Sequence, residues 1–372
     1  MTEPTPVTLR KAHALCYRLF DVADEIDLAH AERLIAQGSQ RLRFDRENSQ
    51  YLQLPNPPLT VVLGTQPLLL KTGTVVAQAR ARVFDHGALS IIFRVDVPPG
   101  TTADALVAIA DELYDTPTIE EAALIWVRQL REQLAPALED SHLWSQNESY
   151  TVFFVEEVDG RPKADELLAR ADLARILLGE QGPRPLSAYE REEVTRHRFS
   201  YTDEDLAVVD WNSAFVYEPS GSPDIPDLLE VVNAQLLELR YYDELLDAEL
   251  KSTYDEIQKK KRSWASFFRS PYRLLARRVS ATLFELSEFT ERVENSLKIV
   301  GDFYLANVYE AGVKRLRIRS WQASVTRKQQ MLAHVYQLLK GEVDTDRALT
   351  LELTIVILIV SELLIALISA LS

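Results

Sequence analysis

The chain is poor in the residues that most often carry chemistry. One cysteine, Cys16, in 372 residues excludes intramolecular disulfides and any zinc site built on cysteine pairs, and points to a reducing compartment. Twelve glycines form no phosphate-binding loop, since neither G-x-G-x-x-G nor G-x-x-x-x-G-K-[ST] occurs. The six histidines, His13, His30, His86, His142, His197 and His334, contain no H-E-x-x-H and no pair four residues apart. The opening MTEPTPVTLRKAHAL has no apolar core and is not an Arg/Ser-rich transit peptide, so the bulk of the chain is expected to stay on the side of synthesis. No catalytic signature, metal or cofactor is indicated.

One long hydrophobic run is present. Residues 353–371 read LTIVILIVSELLIALISAL, nineteen residues with one formal charge. At ~1.5 Å per residue this is close to the ~30 Å hydrocarbon thickness of a bilayer. A buried core helix of that length keeps a polar stripe, which this run lacks. The run predicts a C-terminal transmembrane anchor. Glu362 falls at its centre, where a charged group costs ~2.5–3.5 kcal/mol. Glu352, Ile355, Ile359, Glu362, Ala366 and Ser369 follow a 3-4-3-4-3 spacing. Small and polar residues on one side of a membrane helix favour helix pairing, so Glu352, Glu362, Ala366 and Ser369 are candidate self-association positions.

Charge divides the remainder. Residues 1–222 hold 35 acids and 21 bases, whereas 223–345 hold 18 acids and 19 bases. The change falls at PSGSPDIP, 219–226, a turn-rich linker. The first part, 1–218, alternates extended runs (14–20, 75–84, 88–95, 150–157 and 206–217) with helical periodicity at 102–114, 118–138 and 163–178. This predicts an acidic α+β domain, in which Asp85-His86-Gly87 joins two strands. The second part, 227–345, is helical. An apolar stripe at near-heptad spacing runs from Leu229 to Ile257, broken only at Asp243. A second helix is expected from about Pro271 to Val300, and a third over 303–343 with a break near Arg319-Ser320 and Ser320 as cap. The expected architecture is an α+β domain, a long antiparallel helical hairpin or coiled-coil region with a third helix, and an anchor at 348–372.

The tip of that hairpin is the strongest candidate contact surface in the soluble part. Residues 259–278 carry eight bases (Lys259, Lys260, Lys261, Arg262, Arg269, Arg273, Arg277 and Arg278) and no acid, in a chain of net charge −15. Trp264, Phe267, Phe268 and Tyr272 lie between them. Such a mixture suits anionic lipid headgroups, and it equally suits RNA phosphates and bases. Asp85-His86 is read as a structural turn. Glu156, Glu157 and Asp159 are read as solvated turn residues. Asp210-Trp211-Asn212 has the makings of a turn and is a weaker binding candidate.

Several segments resemble the "required for meiotic nuclear division" family: ELRYYDELLDAELKSTYDEI (238–257), 293–339, the terminal helix, and more weakly VDWNSAFVY (209–217) and VFDHGALSIIF (83–93). That family is defined largely as a domain of unknown function. The resemblance implies a membrane-attached, oligomeric protein without enzymatic activity. One mitochondrial relative is linked to organellar translation through ribosome tethering, and fungal relatives to sporulation. The expectation from sequence is therefore a membrane-tethered, self-associating scaffold on the cytoplasmic side of a bacterial inner membrane. An RNA- or ribosome-tethering factor is the alternative, and an enzyme using a cleft of the first domain ranks last.

Overall fold

The computed structural model describes residues 6–35, 39–42, 56–114, 116–182, 184–259, 272–296 and 303–371. In chain order the elements are β1 (Leu9–Asp21), β2 (Glu25–Ile26), α1 (Leu28–Leu34), β3 (Ser39–Arg41), β4 (Leu59–Leu70), β5 (Gly73–Val83) and β6 (Ala88–Val97). There follow α2 (Ala103–Tyr114), α3 (Pro117–Leu134), β7 (Leu138–Glu139), β8 (Asn147–Val158), α4 (Ala164–Arg170), α5 (Leu173–Leu178) and α6 (Ala188–Val194). The chain ends with β9 (Arg198–Phe199), β10 (Leu206–Val209), β11 (Ser213–Tyr217), α7 (Asp224–Lys259), α8 (Arg273–Ser296), α9 (Phe303–Arg315) and α10 (Ile318–Leu371). Two compact units result: Met1–Tyr241 with Val293–Ser320, and Tyr242–Arg292 with Trp321–Ser372.

The first unit is an α/β sheet domain. Its nine-stranded sheet has the order β3-β4-β5-β6-β1-β8-β11-β10-β9, with β1 at the centre. Every neighbouring pair is antiparallel except β8 with β11, whose parallel sense requires the crossover through α4 to β10. The hairpin read at Asp85-His86-Gly87 is the β5–β6 turn. Gly87 is obligatory there, because its φ is +97° and an added Cβ would stand 1.7 Å from the carbonyl oxygen of Ala23. The strand read over 206–217 is two strands, folded at Asp210-Trp211-Asn212. The helix read over 163–178 is two helices parted at Ala171. Strand β4 is not legible as alternation, because Gly64 introduces a bulge and Pro67 interrupts the run.

Period-two alternation divides the sheet residues between two layers. Ala14, Cys16, Phe93 and Phe153 join the apolar core that contains residues of α2, α3 and α5. Burial in that core pushes the Cys16 thiol up to about 11. On the other face, Tyr17, Ser90 and Arg82 meet α7. The first half of α7 is buried on nearly all sides, including Glu230, Asn233, Gln235 and Glu238. Helix α9 lies along it, with the backbone of Gly312 against the side chains of Leu229 and Val232.

Several buried polar groups of α7 have partners. Arg82 Nη2 donates to Asp227 at 2.9 Å, and Nη1 donates to Glu230. Asn233 Nδ2 donates to the Leu229 carbonyl at 2.8 Å, and the Tyr309 hydroxyl donates to Gln235 at 3.1 Å. Burial opposes the charge on Arg82, but the two carboxylates outweigh it. Burial pushes Glu230 up to about 7 against the pull of Arg82.

The second unit contains the later part of α7, most of α8, and α10 from Trp321. Its buried residues include Leu246, Leu250, Leu275, Val279, Val325, Leu332 and Leu339. Asp243, the polar break in the stripe of α7, accepts from Ser324 Oγ at 2.7 Å and pairs with Lys328 at 2.9 Å, while Lys328 also reaches Asp247 at 2.6 Å. Tyr254 of that stripe is exposed and Thr253 is buried instead. A 3.6-residue helix drifts against a seven-residue repeat in this way. The break expected at Arg319-Ser320 falls earlier, at Arg317, whose φ is +54°. Ser320 is not a cap but lies inside α10. Helix α10 then continues without interruption to Leu371.

Because Glu230 has a raised folded pKa, its protonated form stabilises the fold fully below its unfolded value near 4.5. That contribution is lost as pH rises through about 7. Thermal unfolding of the detergent-solubilised chain is expected to show Glu230→Gln gaining stability relative to wild type between pH 5 and pH 8. Arg82→Leu, which strands two buried carboxylates, is expected to cost about 3–5 kcal/mol. A Glu230→Gln variant that tracks wild type at every pH would overturn the burial argument.

Candidate functional site

Three polar clusters and one apolar surface hold the residues singled out above other than the basic tip. The first cluster lies where β1 ends and the β5–β6 turn begins. Asn56 Nδ2 donates to Asp85 at 2.7 Å, and His86 Nδ1 lies 3.3 Å from the other Asp85 oxygen. Beside them His142 Nε2 is 2.6 Å from Asp21, and Nδ1 is 2.9 Å from the Asp140 carbonyl. The imidazole stacks on Tyr241 at 4.9 Å, and Trp144 meets Tyr241 edge-on. Burial lowers the His142 pKa, but the hydrogen bond and charge of Asp21 more than restore it, leaving it raised. Both ring nitrogens face acceptors, an arrangement that favours the protonated ring. It fastens the segment before β8 to β1, together with Trp144 N–H donating to the Asp21 carbonyl at 3.0 Å.

The second cluster surrounds Asp210, which is wholly buried. Arg315 of α9 pairs with it and also lies 3.5 Å from Glu193. The Tyr150 hydroxyl is 2.8 and 3.0 Å from the carbonyl oxygens of Ser213 and Asp210. Burial pushes the Asp210 carboxyl up, and Arg315 counters it. This rigid turn docks α9 and leaves Trp211 exposed.

The third cluster joins β1 to β8; of the acids read as solvated, Glu157 is exposed and Asp159 half-exposed, while Glu156 is largely covered. Lys11 pairs with Glu156, and Arg10 with Asp159 at 2.5 Å. His13 faces Glu156 at 3.8 Å, and its ring lies 5.1 Å from that of Phe154 at a tilt of 36°. Burial, reinforced by Arg94, lowers His13 to about 4. Among the described residues, no group of three His, Cys, Asp or Glu side chains is placed to hold a metal.

The apolar surface is the end of α10. Among the described residues it is the one helix long and apolar enough to cross a membrane, and its apolar window is wholly unburied. Glu352, Glu362, Ala366 and Ser369 are all exposed on it. Ser361 and Ser369 donate to the carbonyls of Leu358 and Ala366 at 2.7 and 2.9 Å, and Thr354 donates to Thr350 at 2.8 Å. The hydroxyls of this run are therefore satisfied within the helix, as a water-free surrounding demands.

Of the basic tip, Lys260, Lys261, Arg262, Trp264, Phe267, Phe268 and Arg269 lie outside the described residues. Lys259 is the last residue of α7, and Arg273 and Arg277 are exposed on the first turns of α8. Arg278 is committed elsewhere: it reaches Glu249 at 2.9 Å, Glu256 at 2.5 Å and Ser252 at 3.2 Å, all on α7. Sequence reasoning missed Arg82, Arg315 and Lys328. The available signals were two bases, Arg80 and Arg82, inside β5, and acid pairs three or four residues apart on α7.

The fold and these surfaces define an α/β sheet domain carrying a long helix with an exposed apolar end. The chain belongs to the family described as "Uncharacterized protein MJ0711, N-terminal domain", whose model matches residues 11–224, the sheet domain up to the start of α7. One curated relative, "Uncharacterized protein MJ0711" of Methanocaldococcus jannaschii, is 26% identical over 176 residues, which is 47% of this chain and 53% of the relative. The chain thus spans about half the length of that relative. No solved structure matches. These findings overturn the resemblance to the "required for meiotic nuclear division" family, which nothing in the comparisons indicates. The segments that carried it are mainly Leu-, Val- and Tyr-striped helices, a pattern that packing imposes on unrelated chains.

His142 has a folded pKa above its unfolded value of about 6.5, so its charge stabilises fully below that pH and less as pH rises through the folded value. His142→Gln keeps a donor toward Asp21 but removes the charge. Its destabilisation, read from melting temperature, is expected to be larger at pH 6 than at pH 9. Equal losses at both would show that the imidazole is neutral in the fold.

Proposed function

We propose that the protein is a membrane-tethered, self-associating scaffold that holds its sheet domain at a membrane surface on the cytoplasmic side. The observation that carries this reading is the unburied apolar end of α10. A soluble monomer rarely leaves so large a contiguous apolar surface in water. Nineteen residues span ~28 Å as a helix, close to the bilayer core. Glu352, Glu362, Ala366 and Ser369 form the self-association face in this reading. There a second copy offers Glu362 a polar partner that lipid does not.

The hairpin is part of the proposal. Asp243 accepts from Ser324, and Lys328, one turn later, reaches Asp243 and Asp247, which supports α7 and α10 running in parallel. On that alignment the end of α7 falls level with Glu342, ~16 Å short of Leu353. A returning α8 brings Arg273 and Arg277 to the same end. The tip then approaches anionic headgroups, where each base contributes ~1 kcal/mol, and its eight bases favour the cytoplasmic side.

Deleting 348–372 is expected to move the protein from the membrane pellet to the soluble fraction. A truncated chain that still resists carbonate and high salt would refute a single anchor. Replacing Lys259, Lys260, Lys261, Arg262, Arg273 and Arg277 with Gln in the truncated chain is expected to weaken sedimentation with anionic vesicles at low salt, with little further loss at high salt. Binding to RNA and not to vesicles would replace the lipid contact by an RNA contact.

A further inference from the structure

Tyr241 is the last residue of α7 in the first unit, and Tyr242 belongs to the second. At that point the Tyr241 ring lies against the imidazole of His142, with centroids 4.9 Å apart and planes 12° from parallel. Trp144 meets Tyr241 edge-on at 5.8 Å. The segment that carries His142 and Trp144 is itself held to the end of β1. His142 N–H donates to the Val22 carbonyl at 2.9 Å, and Trp144 N–H to the Asp21 carbonyl at 3.0 Å.

The imidazole stands between acceptors. Nε2 is 2.6 Å from Asp21, while Nδ1 is 2.9 Å from the Asp140 carbonyl and 3.6 Å from Asp24. The other charged or titratable groups around it are His86 in the β5–β6 turn, which acts on Asp21, and Arg240 of α7, which pairs with Glu148 of β8 and lies 6.0 Å from the Trp144 ring. A neutral imidazole has one N–H, so it donates to Asp21 or to Asp140 and turns a lone pair on the other. Only the protonated ring donates to both. Only that ring brings a positive charge to the face of Tyr241, inside the ~6 Å reach of a cation–π contact. Burial opposes the charge on His142, but Asp21 outweighs it and the ring holds its proton to a higher pH than a free imidazole.

We propose that His142 is a pH-operated clamp on α7: its protonated ring pins Tyr241 against the segment before β8, and loss of the proton loosens that contact while the sheet keeps its fold. The clamp is closed below ~6.5, the ordinary imidazole value. It opens as pH rises through the higher value that His142 has in the fold. Glu230 also titrates near neutrality, at about 7, but it faces Arg82 and stands eleven residues earlier on α7, roughly three turns away. The two titrations are therefore separable by substitution. The clamp lies wholly within the first unit and does not rest on the tethering reading.

The test is hydrogen exchange of the full detergent-solubilised chain, read as protection factors so that the intrinsic pH dependence of exchange cancels. Between pH 6 and pH 9, the amides of 142–144 and of α7 around Tyr241 are expected to lose about two- to fivefold in protection, the size of a cation–π contact at an exposed site. The amides of β1 and β6, paired with one another, serve as the reference and are expected to hold. His142→Gln cannot titrate, so it is expected to abolish the difference at both places. Tyr241→Leu is expected to abolish it on α7 and to keep it at 142–144, where the bonds to Asp21 and Asp140 remain. Equal protection at the two pH values in the wild type, or a difference that survives His142→Gln, would overturn the clamp. So would a loss spread evenly over β1 and β6. Should His142→Gln fail to fold, Tyr241→Leu decides alone: a pH difference that persists on α7 there would equally overturn it.

Discussion

The sheet domain depends on the burial of one helix. The first half of α7 packs against both the sheet and α9, so its polar groups must find partners inside the protein. Arg82 on β5 makes this tolerable by facing Asp227 and Glu230, one turn apart on α7. Two buried carboxylates against one guanidinium leave an excess negative charge, and Glu230 relieves it by holding its proton up to about pH 7. The arrangement is specific rather than strong. A buried ion pair roughly breaks even against an apolar replacement, but losing one member is severe. Register between sheet and helix is what the triad supplies.

Around that contact the remaining ion pairs join elements distant in sequence. Arg315 ties α9 to the β10–β11 turn, Arg240 ties α7 to Glu148 on β8, and His142 ties the segment before β8 to the end of β1. In the second unit Asp243, Asp247 and Lys328 join α7 to α10, and Arg278 joins α8 to α7. The residues that look most like catalytic groups in isolation are thus structural partners. His142 has both nitrogens occupied, and Asp210 is locked by Arg315. The functional reading therefore moves to surfaces, above all the uncovered length of α10.

Much of the fold was legible, in places where local chemistry leaves one option. Asp85-His86-Gly87 reads as a hairpin because glycine supplies the positive φ that its turn takes. The runs around β1, β6 and β8 read as strands because Tyr, Phe, Val and Ile alternate there. The break before α10 was placed a few residues late, since side-chain periodicity registers a change of phase only after a turn. Strand β4 was missed because Gly64 and Pro67 mask its alternation. Arg278 was counted as a free base because its partners, Glu249 and Glu256, lie across the tip in sequence and on the adjacent helix in space. The family resemblance failed for a related reason: striped helices record packing, which many families share.

By itself the sequence determined that α10 ends in an apolar run long enough for a bilayer, that the first part forms a sheet with helices, and that the later part is helical. Length, alternation and turn chemistry are local properties, and they survive without knowledge of neighbours. Only the tertiary structure decided which face of each element is covered. It buried the first half of α7 on nearly every side and gave Arg82 its two carboxylates. It turned Asp243 from a flaw in a stripe into an acceptor for α10, and it left the apolar end of α10 bare. Periodicity says which residues share a face. What that face meets depends on contacts between residues far apart in the chain.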